Sequence, residues 1–382
     1  MLSREELAAW LRLGTTPGLS RGNARKLLAA LGSAERVLGA DTATLLGLVG
    51  PDVVHLLKRN DPGDAARVAT TARWLDAAAA DAPRDLVVLG DPRYPPTLLQ
   101  TADPPLLLFT LGRVELLAAP SLAIVGSRNA TPQGLDNAHA FARFLSGHGL
   151  TIVSGLATGI DGAAHEGGLE GPGSTVAFVG TGLDRVYPAR HARLMQRIAV
   201  QGLVASEYPL GAPAHQLNFP RRNRLIAGLS LGTLVVEAAL ESGSLITARM
   251  ALECGRDVFA IPGSIHSPLS QGCHRLIQDG ATLVENGGDV LRELRVWHGV
   301  PAAALSPRQP SLFATTASEV GADDGPDAAL KSALGHDPVT FDALAARTGM
   351  APDQLAARLL ELELSGVVRR LPGGMLQRRV AV

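Results

Sequence analysis

The fold of this chain is constrained most by a regular repeat of short apolar runs in its middle part. Seven such runs begin near Leu122, Leu150, Thr175, Leu203, Thr233, Asp257 and Thr282, at spacings of 24 to 30 residues. Helical patterns fill most of the gaps, at 132–146, 190–201, 217–228 and 245–253. Strands that alternate with helices at this spacing predict a parallel sheet with crossover helices. Because the runs are continuously apolar, we expect most strands to be buried on both faces.

This repeat predicts an α/β fold, with a Rossmann-like parallel sheet as the core domain over residues 81–300. Two earlier runs, "DLVVLG" and "PLLLFTLG", would add strands at the front edge of the sheet. Residues 1–80 predict a small helical domain. Within it, "TTPGLSRGNARKLLAALG" fits two structures equally well. One is a helix-hairpin-helix that holds a phosphate beside Arg21, Arg25 and Lys26, and the other is an ordinary helical bundle with a glycine C-cap.

The C-terminal part of the chain predicts a linker and a second small domain. Residues 301–326 are rich in Pro, Ser, Ala and acids without a period, which is typical of a linker. Residues 327–382 carry three short helical patterns and then a hairpin pattern, which together predict a winged-helix domain. Acidic residues on its third helix favour a protein contact over sequence-specific reading of DNA.

Composition excludes several classes of protein. The net charge of −1 means that any binding of nucleic acid must come from local clusters of charge. Two cysteines 19 residues apart make no disulfide framework, and the histidine spacing does not suit a metal, so we expect no metal site. No P-loop pattern occurs, and we expect no cofactor. With no signal-peptide pattern and no apolar stretch of 18 residues, we expect a cytoplasmic protein without a membrane span.

Glycines and polar residues follow three successive predicted strands. Gly126, Ser127 and Arg128 come after the first core strand, and Thr131 with Pro132 forms a good start for the next helix. "SGLATGID" places Gly155 after the second strand, with Asp161 as a predicted N-cap, and "GTGLDRVYP" follows the third. Ligands of open parallel sheets bind at these strand ends, and helix N-termini bind anions. We therefore predict a phosphate-binding rim.

The stretch "FPRRNRLIAGLS" concentrates positive charge where a helix begins. Arg221, Arg222 and Arg224 lie there together with Phe219 and Asn223, and the nearest upstream acid, Glu207, is fourteen residues before Arg221. A helix N-terminus already carries partial positive charge, so arginines there are favourable only beside an anion. That anion is either a carboxylate from a distant segment or a phosphate. The phenylalanine is either a core residue or a platform for an unpaired base.

A further predicted helix start adds hydroxyl groups to the same rim. "ESGSLITARMA" presents Gly243, Ser244 and Thr247 where backbone N–H groups are free. The search for catalytic residues yields little. His165 fits a structural role better than a catalytic one, and Glu237, at the end of a core strand, is a possible catalytic carboxylate. We therefore predict a binding protein without catalytic residues.

The motifs "GSR", "SGLATGIDGAAH", "GTGLDRVYP", "FPRRNRLIAGLS", "VVEAALESGSLITA" and "DVFAIPGS" occur in this order. As a set they resemble the DNA-processing protein A (DprA, also called Smf) family over about 81–295. The resemblance implies a single-stranded DNA-binding protein that forms a homodimer through its Rossmann-like domain. It further implies that the protein protects incoming strands during natural transformation and loads RecA recombinase onto them. Other single-strand-binding or competence proteins would be possible partners.

Carried over by motif, Arg128, Phe219, Arg222, Asn223 and the "SGS" residues with Thr247 would line the DNA groove. One departure is Thr158, at a position where many relatives carry lysine. Two other classes compete with this interpretation. Lysine-decarboxylase-like phosphoribohydrolases, which cleave nucleoside monophosphates, share the Rossmann variant and a motif related to "GLSLGTLVVEAAL". A regulator that binds duplex DNA through the winged helix is the third class.

Overall fold

The computed structural model describes residues 2–59, 61–298, 330, 333–334, 338–371 and 373–378. The chain forms two compact units, Met1–Ser306 and Pro307–Val382. The linker predicted at 301–326 lies outside the described residues, as does most of the first winged-helix segment. The boundary predicted at residue 80 stays a prediction.

Six helices open the first unit: α1 (Arg4–Thr15), α2 (Arg21–Leu31), α3 (Ala34–Gly39), α4 (Thr42–Leu48), α5 (Pro51–Lys58) and α6 (Asp64–Asp76). Ser3 caps α1 in a capping box, since its hydroxyl accepts from the Glu6 amide while the Glu6 carboxylate accepts from the Ser3 amide. The turn between α1 and α2 contains Gly18 at a φ of +85°, a conformation that costs glycine little. Buried leucines of these helices share one core with Leu86 and Phe109 of the first two strands.

A nine-stranded sheet forms the centre of the first unit, in the order β1-β2-β6-β5-β4-β3-β7-β8-β9. The strands are β1 (Arg84–Val88), β2 (Leu107–Gly112), β3 (Ser121–Val125), β4 (Thr151–Ser154), β5 (Thr175–Phe178), β6 (Leu203–Ser206), β7 (Gly232–Val235), β8 (Asp257–Ala260) and β9 (Thr282–Leu283). Strands β3 to β9 are parallel, and β1 and β2 add an antiparallel edge. All seven predicted core strands and both predicted edge strands are confirmed.

Helices cover both faces of the sheet: α7 (Pro96–Leu99), α8 (Pro132–Gly147), α9 (Ile160–Gly168), α10 (Ala192–Gln201), α11 (Asn218–Leu229), α12 (Gly243–Glu253), α13 (Gln271–Gln278) and α14 (Gly287–His298). Short 3₁₀ turns lie at Val114–Leu117 and Ala189–His191. Successive residues of β3 point to opposite faces, so Leu122 packs in the core that contains Phe141, whereas Ala123 packs in the core that contains Leu225. This is the two-sided burial that the apolar runs predict.

The order of the strands reverses beside β3. From β3 the chain moves outward through β4, β5 and β6, then crosses to β7 on the other side and continues to β8 and β9. Adjacent loops therefore leave the sheet in opposite directions at the ends of β3 and β7. Such a switch point opens a crevice at the carboxyl edge of a parallel sheet.

The second unit contains β10 (Val339–Thr340), α15 (Phe341–Thr348), α16 (Pro352–Leu364), β11 (Val368–Arg370) and β12 (Met375–Arg378). Its three strands pair antiparallel in the order β10-β12-β11 around a leucine core that includes Leu344, Leu355 and Leu359. The predicted winged-helix domain is confirmed, and β10 adds a strand to the predicted hairpin. On α16, Glu361 pairs with Arg358, and Glu363 pairs with Arg370 of β11. Among the described residues no helix is long and apolar enough to cross a membrane.

Candidate functional site

A cavity of about 480 Å³ lies at the switch point of the sheet. Its walls come from the loops after β3, β4 and β7 and from the helices α11 and α12. It is lined by Val125, Gly126, Ser127, Arg128, Asn129, Ala157, Asp161, Arg222, Asn223, Ile226, Ala239, Glu241, Ser242, Gly243, Ser244 and Thr247. The crevice predicted from the order of the strands is thus a polar pocket. We call it the rim cavity.

The loop after β3 is held tightly at both of its sides. The Ser127 amide donates to the carbonyl of Glu237, at 2.8 Å, and the Ser127 carbonyl accepts from the Ile160 amide, at 3.1 Å. Gly159, at a φ of +77°, lies so close that a Cβ there would overlap the Ser127 carbonyl. The Ser127 hydroxyl accepts from the Asn129 amide, at 3.1 Å, which leaves Arg128 exposed at the tip of the loop. The loop is thus held by hydrogen bonds on both sides and presents one cation.

Arg222 is the most unusual residue of the rim cavity. The residue is only 3% exposed, and within the described part of the chain its Nε and Nη1 atoms have no hydrogen-bond partner. Its guanidinium fits because residue 155 is glycine, and a Cβ at that position would overlap it. Burial lowers the pKa of Arg222 to about 10, so that the group stays cationic at pH 7. A buried charge without a hydrogen-bonded partner is costly, which favours an anion in the cavity.

The carboxylate of Asp161 lies in the same cavity, but it accepts hydrogen bonds from backbone amides. Its Oδ2 accepts from the amides of Gly155, at 3.1 Å, and Ala157, at 3.3 Å. Burial raises the pKa of the Asp161 carboxyl, and the charge of Arg222 acts in the opposite direction. The prediction that Asp161 is the N-cap of its helix is wrong, because α9 begins at Ile160 and its N-cap is Gly159. Asp161 instead fixes the loop after β4 from inside the first turn.

Arg224 has different partners from Arg222, although both belong to the arginine cluster. Arg224 donates from Nη2 to the Glu207 carboxylate and from Nη1 to the carbonyl of Asp103, at 2.6 Å. Arg21 of α2 contacts the same two residues, at 2.8 Å from Glu207 and 2.6 Å from the Asp103 carboxylate. We call these four residues the ion network. Of the two alternatives for the anion, Arg224 therefore has a carboxylate, that of Glu207 seventeen residues upstream.

The arginines of the N-terminal helices also have partners within the protein. Arg21 is bonded to carboxylates, and Arg25 donates to the carbonyl of Ala102, at 3.1 Å. Both side chains hold α2 against the loop after α7. They are two of the three residues that the helix-hairpin-helix alternative would place beside a phosphate. In this structure they join the helical segment to the sheet.

The start of α12 lies on the opposite wall from the loop after β3. Ser242 is the N-cap, and its hydroxyl accepts from the Ser244 amide at 3.3 Å and lies 2.6 Å from the Ser244 hydroxyl. Gly243 is exposed, while Ser244 and Thr247 are buried. A helix N-terminus with free amides and hydroxyls suits an anionic ligand. It lines the same cavity as the Arg222 guanidinium.

Phe219 is half-buried in the first turn of α11. Its ring centre lies 5.6 Å from the guanidinium carbon of Arg128 and 5.3 Å from the ring centre of Tyr187, with 34° between the two rings. Gly180 faces the same ring, since a Cβ there would lie 3.2 Å from it. The ring thus joins the tip of the loop after β3 to the loop after β5.

The structure brings most of the predicted rim residues together. The cavity wall contains Gly126, Ser127, Arg128, Arg222, Asn223, Gly243, Ser244 and Thr247. Gly155 lies directly behind Arg222, Phe219 adjoins Arg128, and Arg221 is exposed one residue before Arg222. Asn129 and Tyr187 also belong to this region, although neither is among the residues predicted from the sequence. Tyr187 could have been predicted from the aromatic residue between two arginines in "DRVYPAR".

Two residues considered for catalysis are engaged in structural contacts. The His165 Nε2 accepts from the Leu156 amide, at 3.2 Å, and Nδ1 lies 2.7 Å from the Thr175 hydroxyl. Burial lowers the pKa of His165 to about 3. The two carboxylate oxygens of Glu237 accept from the amide and the hydroxyl of Thr131, at 2.9 and 2.5 Å, which fixes the predicted start of α8.

Thr158, which departs from the family pattern, also makes an internal contact. Its hydroxyl donates to the carbonyl of Arg128, at 3.1 Å. The Thr158 side chain thus holds the loop after β3.

Comparison with known proteins is consistent with this geometry. The profile of the family described as DNA recombination-mediator protein A matches residues 85–295, and the DprA winged helix domain matches residues 313–374. Protein Smf from Escherichia coli is 43% identical over 290 residues, which cover 75% of this chain and 76% of the relative.

Two solved structures are similar to this chain. The X-ray structure of DprA from Streptococcus pneumoniae has a TM-score of 0.65 and 40% identity, and the match covers 76% of this chain and 98% of that one. DNA processing protein A from Helicobacter pylori, studied for its single-stranded DNA binding mode, has a TM-score of 0.51 and 31% identity over 55% of this chain and 95% of that one. By sequence profile and by fold, this chain belongs to the DNA recombination-mediator protein A (DprA/Smf) family.

Proposed function

We propose that this protein is a recombination mediator that binds single-stranded DNA at the rim cavity. The observation that carries this proposal is the buried guanidinium of Arg222, whose Nε and Nη1 have no hydrogen-bond partner within the described part of the chain. A phosphate diester supplies the anionic oxygens that this group requires. The residues proposed to contact DNA are Gly126, Ser127, Arg128, Gly155, Phe219, Arg221, Arg222, Asn223, Gly243, Ser244 and Thr247.

The shape and charge of the rim cavity favour a single strand over a duplex. Arg222 is recessed, and a flexible strand can bend one phosphate into the cavity, whereas the backbone of a rigid duplex stays on the outside of a cylinder. The chain has a net charge of −1, so attraction comes from this site and not from the whole surface. An aromatic pair, Phe219 and Tyr187, adjoins the cavity, as is typical of surfaces that bind unpaired bases.

The biological role that we propose is the one the family resemblance implies. A protein that covers single strands at such a site can protect incoming DNA in the cytoplasm during natural transformation and pass it to RecA recombinase. The support for this role is the membership in the recombination-mediator family. We expect the protein to speed the assembly of RecA on strands coated with single-strand-binding protein, and no such effect would contradict the role.

We also propose a homodimer through the sheet domain. Strand β9 is at an edge of the nine-stranded sheet, and Leu283 on it is 45% exposed. An edge strand that pairs on one side only within the described residues, and that carries an exposed leucine, is suited to a partner copy. We expect light scattering to find a dimer for the wild type and a monomer for Leu283→Arg. A wild-type monomer across the accessible concentrations would contradict the proposal.

Two experiments separate the proposed function from its two competitors. Fluorescence anisotropy compares an oligo-dT strand with a blunt duplex of equal length, and we expect clear preference for the single strand. Equal affinity for the duplex would contradict the proposal and favour the regulator. Incubation with nucleoside monophosphates tests the phosphoribohydrolase, for which release of free base is the required result. The hydrogen bonds from Thr131 to both oxygens of Glu237 favour a structural role for that carboxylate.

The exposed cation Arg128 provides a prediction about salt. Each phosphate that a protein neutralises on a single strand changes the slope of log affinity against log salt by about −0.7. We therefore expect Arg128→Gln to weaken binding of oligo-dT and to reduce the magnitude of the slope by about 0.7. Anisotropy titrations at four or more salt concentrations measure it. A weaker affinity with an unchanged slope would mean that Arg128 supports the loop without meeting a phosphate.

A further inference from the structure

Tyr187 presents an aromatic ring to solvent beside the rim cavity. It lies in the loop after β5, is 49% exposed, and packs against the ring of Phe219 with centres 5.3 Å apart and 34° between planes. Aromatic side chains at the surface of a protein serve as platforms for unpaired bases when cations lie beside them. The surroundings of the two rings show which one is open to a ligand.

Phe219 is half-buried, and three neighbouring groups crowd its ring. The guanidinium carbon of Arg128 lies 5.6 Å from its ring centre, Tyr187 packs against it, and Gly180 faces it closely enough that a Cβ there would lie 3.2 Å away. We propose that the base of a bound single strand stacks on Tyr187, and that Phe219 holds Tyr187 in place. This inference rests on the proposed function and adds a second contact region to it.

The position of Tyr187 fits a strand that leaves the rim cavity. The cavity is built at the ends of β7, β3 and β4, and β5 is the next strand along the same edge. Neighbouring strands lie about 4.8 Å apart, so a ligand that runs from β7 to β5 crosses about 14 Å. Phe219 and Arg128 lie between the two regions and connect them. Arg128, Phe219 and Tyr187 thus form a chain of contacts that starts at the wall of the rim cavity and ends at the exposed ring.

The charges around Tyr187 also fit DNA. Arg185, Arg190 and Arg193 are all exposed in the loop and helix start that flank the ring. Asp184 is the only acid between residues 179 and 193, and its carboxylate accepts from the Gly211 amide at 2.8 Å. This segment therefore presents an excess of positive charge to a ligand. An exposed ring among arginines combines stacking on a base with attraction for the backbone.

The test compares two oligonucleotides on two variants of Tyr187. One oligonucleotide is oligo-dT, and the other is an abasic strand of the same length and charge. We expect the wild type to prefer oligo-dT by about fivefold or more, because stacking of one base contributes that much. Tyr187→Phe keeps the ring and should keep the preference. Tyr187→Leu keeps an apolar contact with Phe219 but removes the ring, and should lose most of the preference with an unchanged salt slope.

The outcomes separate this inference from the proposed function. If Tyr187→Leu melts like the wild type and still prefers oligo-dT to the same degree, the stacking role of Tyr187 is wrong. Loss of the preference in Tyr187→Phe as well would also overturn it, since the hydroxyl and not the ring would then be responsible. Arg222→Met reports on the proposed function in the same assay. If that variant binds both oligonucleotides as the wild type does, the phosphate site fails whatever Tyr187 does.

Discussion

Replacing Arg224 by methionine should lower the free energy of unfolding by about 3 kcal/mol, which is typical of breaking a buried ion pair on one side. The Glu207 side chain is 4% exposed and has Arg21 and Arg224 as its ion-pair partners in the described part of the chain. Without Arg224, a buried carboxylate keeps one partly exposed cation, and the carbonyl of Asp103 loses its donor. Urea unfolding of the full protein, followed by far-UV circular dichroism, measures the change in the free energy of unfolding.

The matched control for this variant is two residues earlier in the same helix. Arg222→Met removes a cation of equal size, but one whose Nε and Nη1 bind no other described residue. Because burial lowers the pKa of Arg222, its charged form disfavours the folded state at pH 7. We expect Arg222→Met to unfold at the same urea concentration as the wild type or at a higher one, because removal of the desolvated charge outweighs the lost attraction between Arg222 and the Asp161 carboxylate. An equal loss of stability in both variants would mean that the two arginines support the fold alike.

The second large effect that we expect is on the affinity for single-stranded DNA. We expect Arg222→Met to weaken the binding of oligo-dT by roughly 30-fold or more, since a buried charged hydrogen bond to a partner contributes about 2 kcal/mol or more. For the wild type, oligo-dT at 100 times its Kd should raise the free energy of unfolding by about 2.7 kcal/mol. The gain should shrink as salt rises, because salt screens the arginine–phosphate attraction. Thermal melts with and without oligo-dT measure this gain.

The same thermal melts on Arg222→Met and Arg224→Met compare the two arginines. Arg222→Met should lose most of the gain at equal oligo-dT concentration, whereas Arg224→Met should start from a lower midpoint and still respond to oligo-dT. A full response in Arg222→Met would contradict the assignment of the rim cavity as the phosphate site.

The fold could be predicted from the sequence because its signals are local. Each core strand is an apolar run, and the strand starts fall within one residue of those predicted. Helices of readable period fill most of the gaps, although α9 and α13 are not among the helical patterns named from the sequence. Thr131 and Pro132 likewise mark the start of α8 through their own chemistry. The pairing order was not readable in the same way, since the jump from β6 to β7 across the sheet depends on packing between distant segments.

The site could be predicted only in part, because it too depends on contacts between segments that are distant in sequence. Gly126, Ser127 and Arg128 follow a strand, and their place at the rim follows from the geometry of parallel sheets. The different roles of Arg222 and Arg224 could not be seen, because Asp103 and Glu207 reach Arg224 only after folding. The role of Asp161 was misplaced by two residues, since an N-cap and a first-turn acceptor share the same residue preferences.

The account depends most directly on what Arg222 binds. A crystal or cryo-EM structure of the full chain with a short oligo-dT tests it. We predict a phosphate oxygen about 2.8 Å from Nε or Nη1 of Arg222, the usual distance for a charged hydrogen bond, with the strand continuing past Arg128 toward the loop after β5. DNA bound elsewhere, with the Arg222 guanidinium still without an anionic partner, would contradict the account.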